Sequence, residues 1–295
     1  MAIKKLPSTG DTPRSTGVPE SVVAGGAADS AGFPWAGRTF DHHETAFADD
    51  DGETPAALAA AISAMRAAGE AYRAGGADPA SIDELSALRQ TVLVELSRSR
   101  LLVPLLAEAG ELGETPDGRI VEKTQELSIV TVASPDGRRV MPVFSSVEAM
   151  RRWNADSRPI PVPGPQAAVA AAQEGTDLII IDPGSPDTQF GVRRPELEAV
   201  ALGEHRAPAW ADPEVRSAFL LAASGEAPLR AIALLPGDPA GDLTAPETEV
   251  HLLIDEGLDR DGLTAMLGRL QERWASSEII AERVDSMRFV PRLAQ

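Results

Sequence analysis

The chain has 295 residues, a formal net charge of −18 and no cysteine. A charge of this sign repels phosphate backbones and anionic lipids, so we exclude nucleic acids and membrane surfaces as direct partners. The absence of cysteine excludes disulfides, thiol catalysis and cysteine-ligated metals. No apolar run approaches the roughly 20 residues that span a bilayer, and the N-terminus lacks the apolar core of a signal peptide. These observations predict a cytoplasmic protein and leave its oligomeric state unknown.

Residues 1–32 are small and polar and are predicted to be a disordered tail, because they bury too little apolar area to offset the entropy of ordering. Residues 33–53 form an aromatic and acidic arm. Each aromatic ring can bury a large apolar area, so the arm either lies in a groove of its own folded domain or docks onto another protein. The aromatic residues of the arm are Phe33, Trp35, Phe40 and Phe47.

The arm also contains His42 and His43, followed by three aspartates at 49–51. Adjacent histidines lack the helical spacing that lets two rings reach one ion, so we predict no metal site. The aspartates lack the alternating ligands of a calcium loop. We interpret them as the start of a helix, where carboxylates interact favourably with the helix dipole, with Thr54 as the cap and Pro55 at the first helical position.

Residues 54–204 are predicted to form a first α+β domain. It opens with a helix over 54–73, whose apolar residues share one face, and a second helix that Ser81 caps. The apolar run 101–106 contains Pro104, which lacks an N–H donor and therefore favours an edge strand or an extended segment over a helix interior. A polar loop follows and extends to residue 125.

A hairpin comes next, with strands at 127–133 and 139–144. Its turn reads SPDG, in which proline sets φ and Gly137 accepts a positive φ. Short helices are predicted over 147–153 and 167–173. Residues 178–181 read LIII and are apolar on both faces, which is typical of a central, doubly covered strand.

After a short helix and a short strand within 192–203, residues 204–212 contain two prolines and are interpreted as a boundary. Residues 205–295 are then predicted to form a second domain, with a long acidic loop at 236–247. The predicted fold class is α+β, with two small mixed α/β domains, each a β-sheet packed by helices. The predicted elements of the second domain are a helix at 213–223, strands at 229–235 and 249–255, a helix at 259–275 and a strand at 287–290.

Three blocks of the first domain resemble the SseB family. MPVFSS at 141–146, followed by a short helix, is similar to that family's "lPvFtS" block. Residues 178–185 are similar to its "gl-x-INPGS" block, with Asp182 where asparagine is usual. FADDDG at 47–52 is similar to an element of actinobacterial members. The resemblance covers residues 33–202, and a weaker resemblance extends towards the C-terminus. It implies an architecture but no reaction, because the family has no established biochemical activity.

The candidate binding site is the pair of loops that follow residues 144 and 181. Ligands of open α/β sheets bind beyond the carboxyl ends of strands, a helix N-terminus can hold an anion, and a carboxylate can orient a hydroxyl or an amine. In the purely structural alternative, Ser145 caps its own helix, Asp182 accepts backbone amides and Trp153 anchors the core. The candidate binding residues are Pro142, Phe144, Ser145, Ser146, Trp153, Asp182, Pro183, Gly184 and Ser185.

The sequence contains no nucleophile elbow, Walker loop, dinucleotide fingerprint or zinc motif, and we predict no catalytic residue and no cofactor. The basic pairs at 151–152 and 193–194 are interpreted as solvated surface. We therefore predict a non-enzymatic adaptor or regulator that binds another cytoplasmic protein through the loop pair. The alternatives are a sensing module for an amino acid or an anionic metabolite and, third, an enzyme of unrecognised type using Asp182 and Ser146. A deep polar pocket would favour a small ligand, whereas an apolar patch rimmed by charge would favour the adaptor.

Overall fold

A computed structural model describes residues 47, 49–75, 78–107, 112–114, 120–122, 127–134 and 137–294. The helices within these residues are α1 (Ala56–Gly75), α2 (Pro79–Arg98), α3 (Val147–Trp153), α4 (Gly164–Gln173), α5 (Leu197–Leu202), α6 (Pro213–Ala222), α7 (Arg260–Ala275) and α8 (Glu278–Arg283). The strands are β1 (Arg100–Ala107), β2 (Leu112–Glu114), β3 (Ile120–Glu122), β4 (Leu127–Ile129), β5 (Val132–Ala133), β6 (Arg139–Val143), β7 (Arg158–Pro163), β8 (Leu178–Ile181), β9 (Phe190–Arg193), β10 (Leu229–Pro236), β11 (Thr248–Ile254) and β12 (Met287–Leu293).

The chain divides into two compact units, Met1–Asp50 and Asp51–Gln295. The predicted tail lies outside the described residues, as do Phe33, Trp35, Phe40, His42 and His43. Of the arm's aromatic residues, Phe47 is described; it is half-buried, and its carbonyl accepts a hydrogen bond from the amide of Asp50 at 3.1 Å. The docking role of the arm stays a prediction.

The described residues of the second unit combine helices with four sheets, which confirms the α+β fold class. The sheets have the strand orders β4-β1-β7, β2-β3, β5-β6-β8-β9 and β10-β11-β12. Strand β8 lies between β6, to which it is parallel, and β9, to which it is antiparallel, so the apolar run at 178–181 is a central strand as predicted. The small sheet β2-β3 corrects the prediction that residues up to 125 form a loop without strands.

Helix α2 begins at Pro79, earlier than the predicted cap at Ser81. Asp78 is the N-cap, and its side chain accepts the amide of Ser81 at 3.0 Å. The hydroxyl of Ser81 lies 3.4 Å from the amide of Asp78, which completes a capping box. Ser81, the predicted cap, is therefore the reciprocal third residue of the motif.

Residues 101–106 are extended, as predicted, but β1 lies in the middle of its sheet, so the edge position that Pro104 suggested is wrong. The backbone N–H and C=O groups of even-numbered residues of β1 point away from β7. The amide of Leu102 shows this direction, because it donates to the carbonyl of Phe144 at 2.7 Å. Pairing with β4 starts only at Leu105. The missing N–H of Pro104 therefore falls in the gap between Phe144 and β4, where the register assigns it no partner.

The outer edge of β7 is blunted by its prolines. In the next step of its ladder with β1, the amide of Gly164 donates to the carbonyl of Ser99 at 2.9 Å, so even-numbered residues of β7 face β1. Pro159, Pro161 and Pro163 consequently face outwards, and this edge carries carbonyl groups but no N–H donors. An edge of this kind cannot pair with a further strand through a regular ladder.

The predicted hairpin is present, but its first strand is divided. Residues 127–129 pair with β1, and only β5 pairs with β6. Gly137 has φ +85° and donates its amide to the carbonyl of Ser134 at 2.9 Å, as a turn of this composition predicts. The short strand predicted after the helix within 192–203 is wrong, because residues 192–193 end β9 and the rest of the segment forms a 3-10 turn and then α5, which is capped by Gly203 with φ +68°.

The five elements predicted after residue 212 are all present, and α8 is additional. Asp212 caps α6 by accepting the amide of Glu214 at 2.8 Å. One hydrophobic cluster contains buried residues from both sides of the predicted boundary, such as Leu58 and Val250, within one compact unit. The division into domains 54–204 and 205–295 stays a prediction.

Candidate functional site

The parallel pairing of β6 and β8 brings the two candidate loops together, because the carboxyl ends of both strands lie at the same edge. Val143 lies opposite Ile181, and the loops begin directly after them. The amide of Ser145 donates to Oδ1 of Asp182 at 2.7 Å, and its hydroxyl donates to Oδ2 at 2.5 Å. Neither side chain has any exposed surface. The two loops are thus joined by a buried, charge-assisted pair of hydrogen bonds.

Asp182 occupies the left-handed region with φ +47°, a conformation that aspartate and asparagine tolerate better than most residues. This backbone explains why aspartate can stand where the resemblance expects asparagine. Burial raises the pKa of the Asp182 carboxyl above its ordinary value, while its hydrogen bonds with Ser145 act in the opposite direction. The contacts with Ser145 therefore offset part of the cost of burying the charge.

Ser145 also connects this pair to the start of the unit. Its hydroxyl lies 2.7 Å from that of Thr54, and its carbonyl accepts Nη1 of Arg100 at 2.6 Å. Two predicted caps are thereby corrected. Thr54 places its hydroxyl against Ser145 and precedes a helix that begins at Ala56, and it is Ser146 that caps α3 by accepting the amide of Ala149 at 3.1 Å. Ser145 is committed to tertiary contacts and not to a helix terminus.

Most of the candidate side chains do not reach solvent. Trp153 and Pro183 are half-buried and Gly184 is exposed. The ring of Trp153 packs on Phe144 with centroids 5.4 Å apart, beside a small apolar cluster under α3. A carboxylate that accepts a hydrogen bond from a serine hydroxyl resembles a base beside a nucleophile, but Asp182 and Ser145 are both fully buried and out of reach of a substrate in this structure. The buried candidates are Pro142, Phe144, Ser145, Ser146, Asp182 and Ser185.

A second cluster of buried charges, which the sequence analysis missed, joins the end of β9 to the loops before β11 and β12. Arg193, predicted to be solvated, is 1% exposed and donates to Asp238 and to Asp285, each at 2.7 Å. Arg89 donates to Glu196 through Nε at 2.5 Å and Nη2 at 2.8 Å. Buried charges are tolerated when they are paired with such geometry. The cluster therefore links the end of β9 to the loops before β11 and β12.

Glu247 completes this buried ion network. Its Oε1 accepts the amide of Ala209 at 3.1 Å and its Oε2 accepts that of Asp285 at 2.8 Å. The pKa of Glu247 is raised from 4.5 to about 7, chiefly by burial and in smaller part by repulsion from the Glu196 carboxylate. The signals in the sequence were the acidic loop at 236–247 and the pair at 193–194, but charge patterns do not show which residues meet.

A charged cleft of about 750 Å³ lies beside this network. Its arginines are largely neutralised: Arg138 lies 3.1 Å from Asp285, and Arg206 lies 2.5 Å from Glu198. Arg194 donates to the carbonyl of Thr176 at 2.9 Å. The cleft therefore presents balanced charge and no excess of either sign. It is lined by Arg138, Asp177, Arg194, Pro195, Glu198, Arg206, Ala281, Glu282, Arg283, Val284 and Asp285.

An apolar groove of about 530 Å³ separates α6 from α8, and we call it the α6–α8 groove. Leu221 is 77% exposed and Ile279 is 37% exposed, although both are large apolar side chains. The sequence contained a signal for this groove: Val215 and Phe219 mark the core face of α6, and Leu221 lies off that face. The groove is lined by Pro213, Glu214, Ser217, Ala218, Leu221, Ala222, Ser277 and Ile279.

Within the part of the chain that the structure describes, no group of three or more histidine and carboxylate side chains could hold a metal ion. Among the helices of that part, none is long and apolar enough to cross a membrane.

Comparison with known proteins identifies one family. Residues 78–199 match the model of the SseB protein N-terminal domain, which includes α2 to β9 and both candidate loops. No curated protein and no solved structure matches the chain. The SseB-like character predicted for residues 205–295 lies beyond the matched segment and stays a prediction. Residues 78–199 are therefore assigned to the SseB N-terminal domain family.

Proposed function

We propose that this protein is a non-enzymatic, cytoplasmic adaptor that binds another protein through the α6–α8 groove. The observation that carries the proposal is the exposure of Leu221 in an apolar groove beside Ile279. Exposed apolar surface costs free energy in water, and contiguous apolar grooves rimmed by charge mark protein interaction sites.

The loop pair has a supporting role in this proposal. Ser145 and Asp182 form hydrogen bonds with each other, so they fix the ends of β6 and β8 rather than offering groups to a partner. The part of the predicted binding face that reaches solvent is formed by Trp153, Pro183 and Gly184. These three residues are a second contact surface in the proposal.

The charged cleft favours the alternative, a sensing module for a small ligand. Its volume suits an amino acid or a metabolite, and both signs of charge line it. We rank this alternative second, because salt bridges such as that of Arg206 with Glu198 already occupy its charges.

Affinity purification of the full-length chain from its own host tests the proposal. Leu221→Asp places a charge in the groove, and Leu202→Asp is the matched control, because Leu202 is a 61% exposed leucine on α5 outside the groove. A near-stoichiometric protein retained by the wild type and the control but lost by Leu221→Asp supports the adaptor. Equal recovery with all three chains contradicts a role of the groove, and no recovery with any of them favours the sensing module.

A further inference from the structure

We infer that a small cavity beside the charged cleft binds a primary ammonium compound, with the carboxylate of Glu247 as the counter-ion of the bound nitrogen. We call it the inner cavity. It measures about 170 Å³, and its walls include Glu247, Asp212 and Ala207. The inner cavity shares no lining residue with the α6–α8 groove, so the inference goes beyond the proposed function and does not depend on it.

The salt bridges in and around the buried ion network leave the charge of Glu247 unmatched. Four arginines pair with four carboxylates there. The arginines are Arg73, Arg89, Arg138 and Arg193, and the carboxylates that they contact are Glu196, Asp238, Asp242 and Asp285. Within the described part of the chain, Glu247 forms no salt bridge, and its oxygens accept backbone amides instead. Glu247 is therefore a buried anion without a counter-ion of its own.

An unmatched buried carboxylate favours the arrival of a positive charge. Glu247 is 3% exposed, and removing a carboxylate from water is costly unless a proton or a cation compensates it. Burial, followed by repulsion from Glu196, raises the pKa of Glu247 to about 7, and attraction by Arg193 and Arg89 opposes this rise without cancelling it. A proton neutralises Glu247 at low pH, and a bound cation can do the same once that proton has left.

The inner cavity gives a cation access to this carboxylate. Glu247 lines the cavity, as does Ala209, whose amide donates to Oε1. The donor to Oε2 is the amide of Asp285, a residue that lines the charged cleft. The residues common to both linings are Pro195, Arg206 and Arg283. A ligand whose nitrogen reaches Glu247 can therefore extend its remaining atoms into the cleft.

A compact ammonium group suits the inner cavity better than an anion or a metal ion does. Three carboxylates and two arginines line it, so one negative charge is in excess. These residues are Glu196, Asp212, Glu247, Arg206 and Arg283. A divalent ion needs several oxygen ligands, and the described residues contain no group of side chains that could hold one. The volume equals that of roughly five water molecules, which is enough for an ammonium group and a short alkyl chain.

Isothermal titration calorimetry of the full-length chain with propylammonium chloride tests the inference. The amine stays protonated at about pH 6 and about pH 8, because the pKa of an alkylammonium group is about 10. Glu247 is largely protonated at the lower pH, so each bound cation should release roughly one proton there and almost none at the higher pH. Binding should therefore be about tenfold tighter at about pH 8. The matched ligands, 1-propanol and sodium propionate, have a similar size but no positive charge, and should not bind.

Two variants and one control locate the site. Glu247→Gln removes the counter-ion, so it should weaken the binding of propylammonium at about pH 8 at least tenfold and abolish its pH dependence. Ala207→Leu keeps the carboxylate but fills part of the inner cavity, so it should also weaken binding. The control Glu256→Gln removes an exposed glutamate in the turn before α7 and should bind like the wild type. Circular dichroism at the titration temperature checks that each variant is folded.

Several results would overturn the inference. If propylammonium shows no saturable binding to the wild type at about pH 8, the inner cavity holds no cation. Equal binding by folded Glu247→Gln would show attraction to the net charge of −18 alone, and equal binding by folded Ala207→Leu would place the site elsewhere. An affinity that is the same at both pH values would exclude Glu247 as the counter-ion. Equally tight binding of 1-propanol would show that the positive charge is not recognised.

Discussion

Glu247 offers the sharpest test of the buried ion network, because it titrates near neutral pH. Its pKa is raised from 4.5 to about 7, chiefly by burial. The pKa in the folded state is thus above that in the unfolded chain, so the contribution of Glu247 to stability is fully present below about pH 4.5 and is lost as the pH rises through about 7. One pKa unit corresponds to about 1.4 kcal/mol, so the whole range is worth roughly 3 kcal/mol.

The change to make is Glu247→Gln, which removes the titration. The side-chain NH₂ of glutamine then faces one of the two backbone amides that Glu247 accepts, from Ala209 and Asp285, so the variant is less stable at every pH. The informative quantity is the pH dependence of the free energy of unfolding. Between about pH 6 and about pH 8, linkage predicts that the titration of Glu247 lowers the wild-type value by roughly 1 kcal/mol.

Urea unfolding at both pH values measures this difference. The matched control is Glu256→Gln, since Glu256 is an exposed glutamate in the turn before α7 and should leave the wild-type pH dependence in place. The expected result is a decrease of stability with pH in the wild type and the control that Glu247→Gln lacks. If Glu247→Gln retains the full wild-type dependence, Glu247 is not the titrating group and the reasoning is refuted.

Three further changes test the loop pair, the strand edge and one close backbone approach. Asp182→Ala removes two buried hydrogen bonds to a carboxylate and should lower the free energy of unfolding, measured by urea titration, by roughly 3 kcal/mol. Asp182→Asn should lose less, and negligible losses in both variants would contradict the structural role of Asp182. Pro161→Thr gives the outer edge of β7 an N–H donor, so we expect self-association that grows with concentration in sedimentation experiments, and a strictly monomeric variant would argue against the blunted edge. A Cβ at Gly164 would lie 1.9 Å from the carbonyl oxygen of Leu96, so Gly164→Ala should lower the thermal midpoint and reduce the free energy of unfolding by about 3 kcal/mol. The control Gly268→Ala, which has open space around it in α7, should be neutral or stabilising. Similar midpoints for both variants would disprove the close approach.

Much of the secondary structure was predictable because its signals are local. Gly137 supplies the positive φ of the hairpin turn, and the apolar run of β8 forms a central strand. Asp212 caps α6 as its position before a proline indicates. In each case the deciding contact lies within a few residues of the signal. The same locality explains the family resemblance, whose blocks are short segments around β6 and β8.

The errors in local assignment come from residues whose polar groups have two possible partners. Ser145 and Ser146 are equally good caps in sequence, and only the arrival of β8 beside β6 gives Ser145 a carboxylate to bind. Pro104 suggests an edge strand, but its missing N–H is harmless because the neighbouring strands leave a gap at that position. Propensity describes what a residue prefers, and the tertiary partner decides which preference is met.

The sequence by itself determined the fold class, the similarity of residues 78–199 to the SseB N-terminal domain, and the hairpin and strand that carry the candidate loops. These follow from periodicity, turn chemistry and short motifs. Only the tertiary structure decided that Ser145 and Asp182 bind each other out of reach of solvent, that Arg193 is buried against Asp238 and Asp285, and that Leu221 stays exposed. The physical reason is distance along the chain. Partners such as Arg193 and Asp285, 92 residues apart, carry no mutual signal in one sequence, and burial is a property of the assembled elements rather than of any one of them.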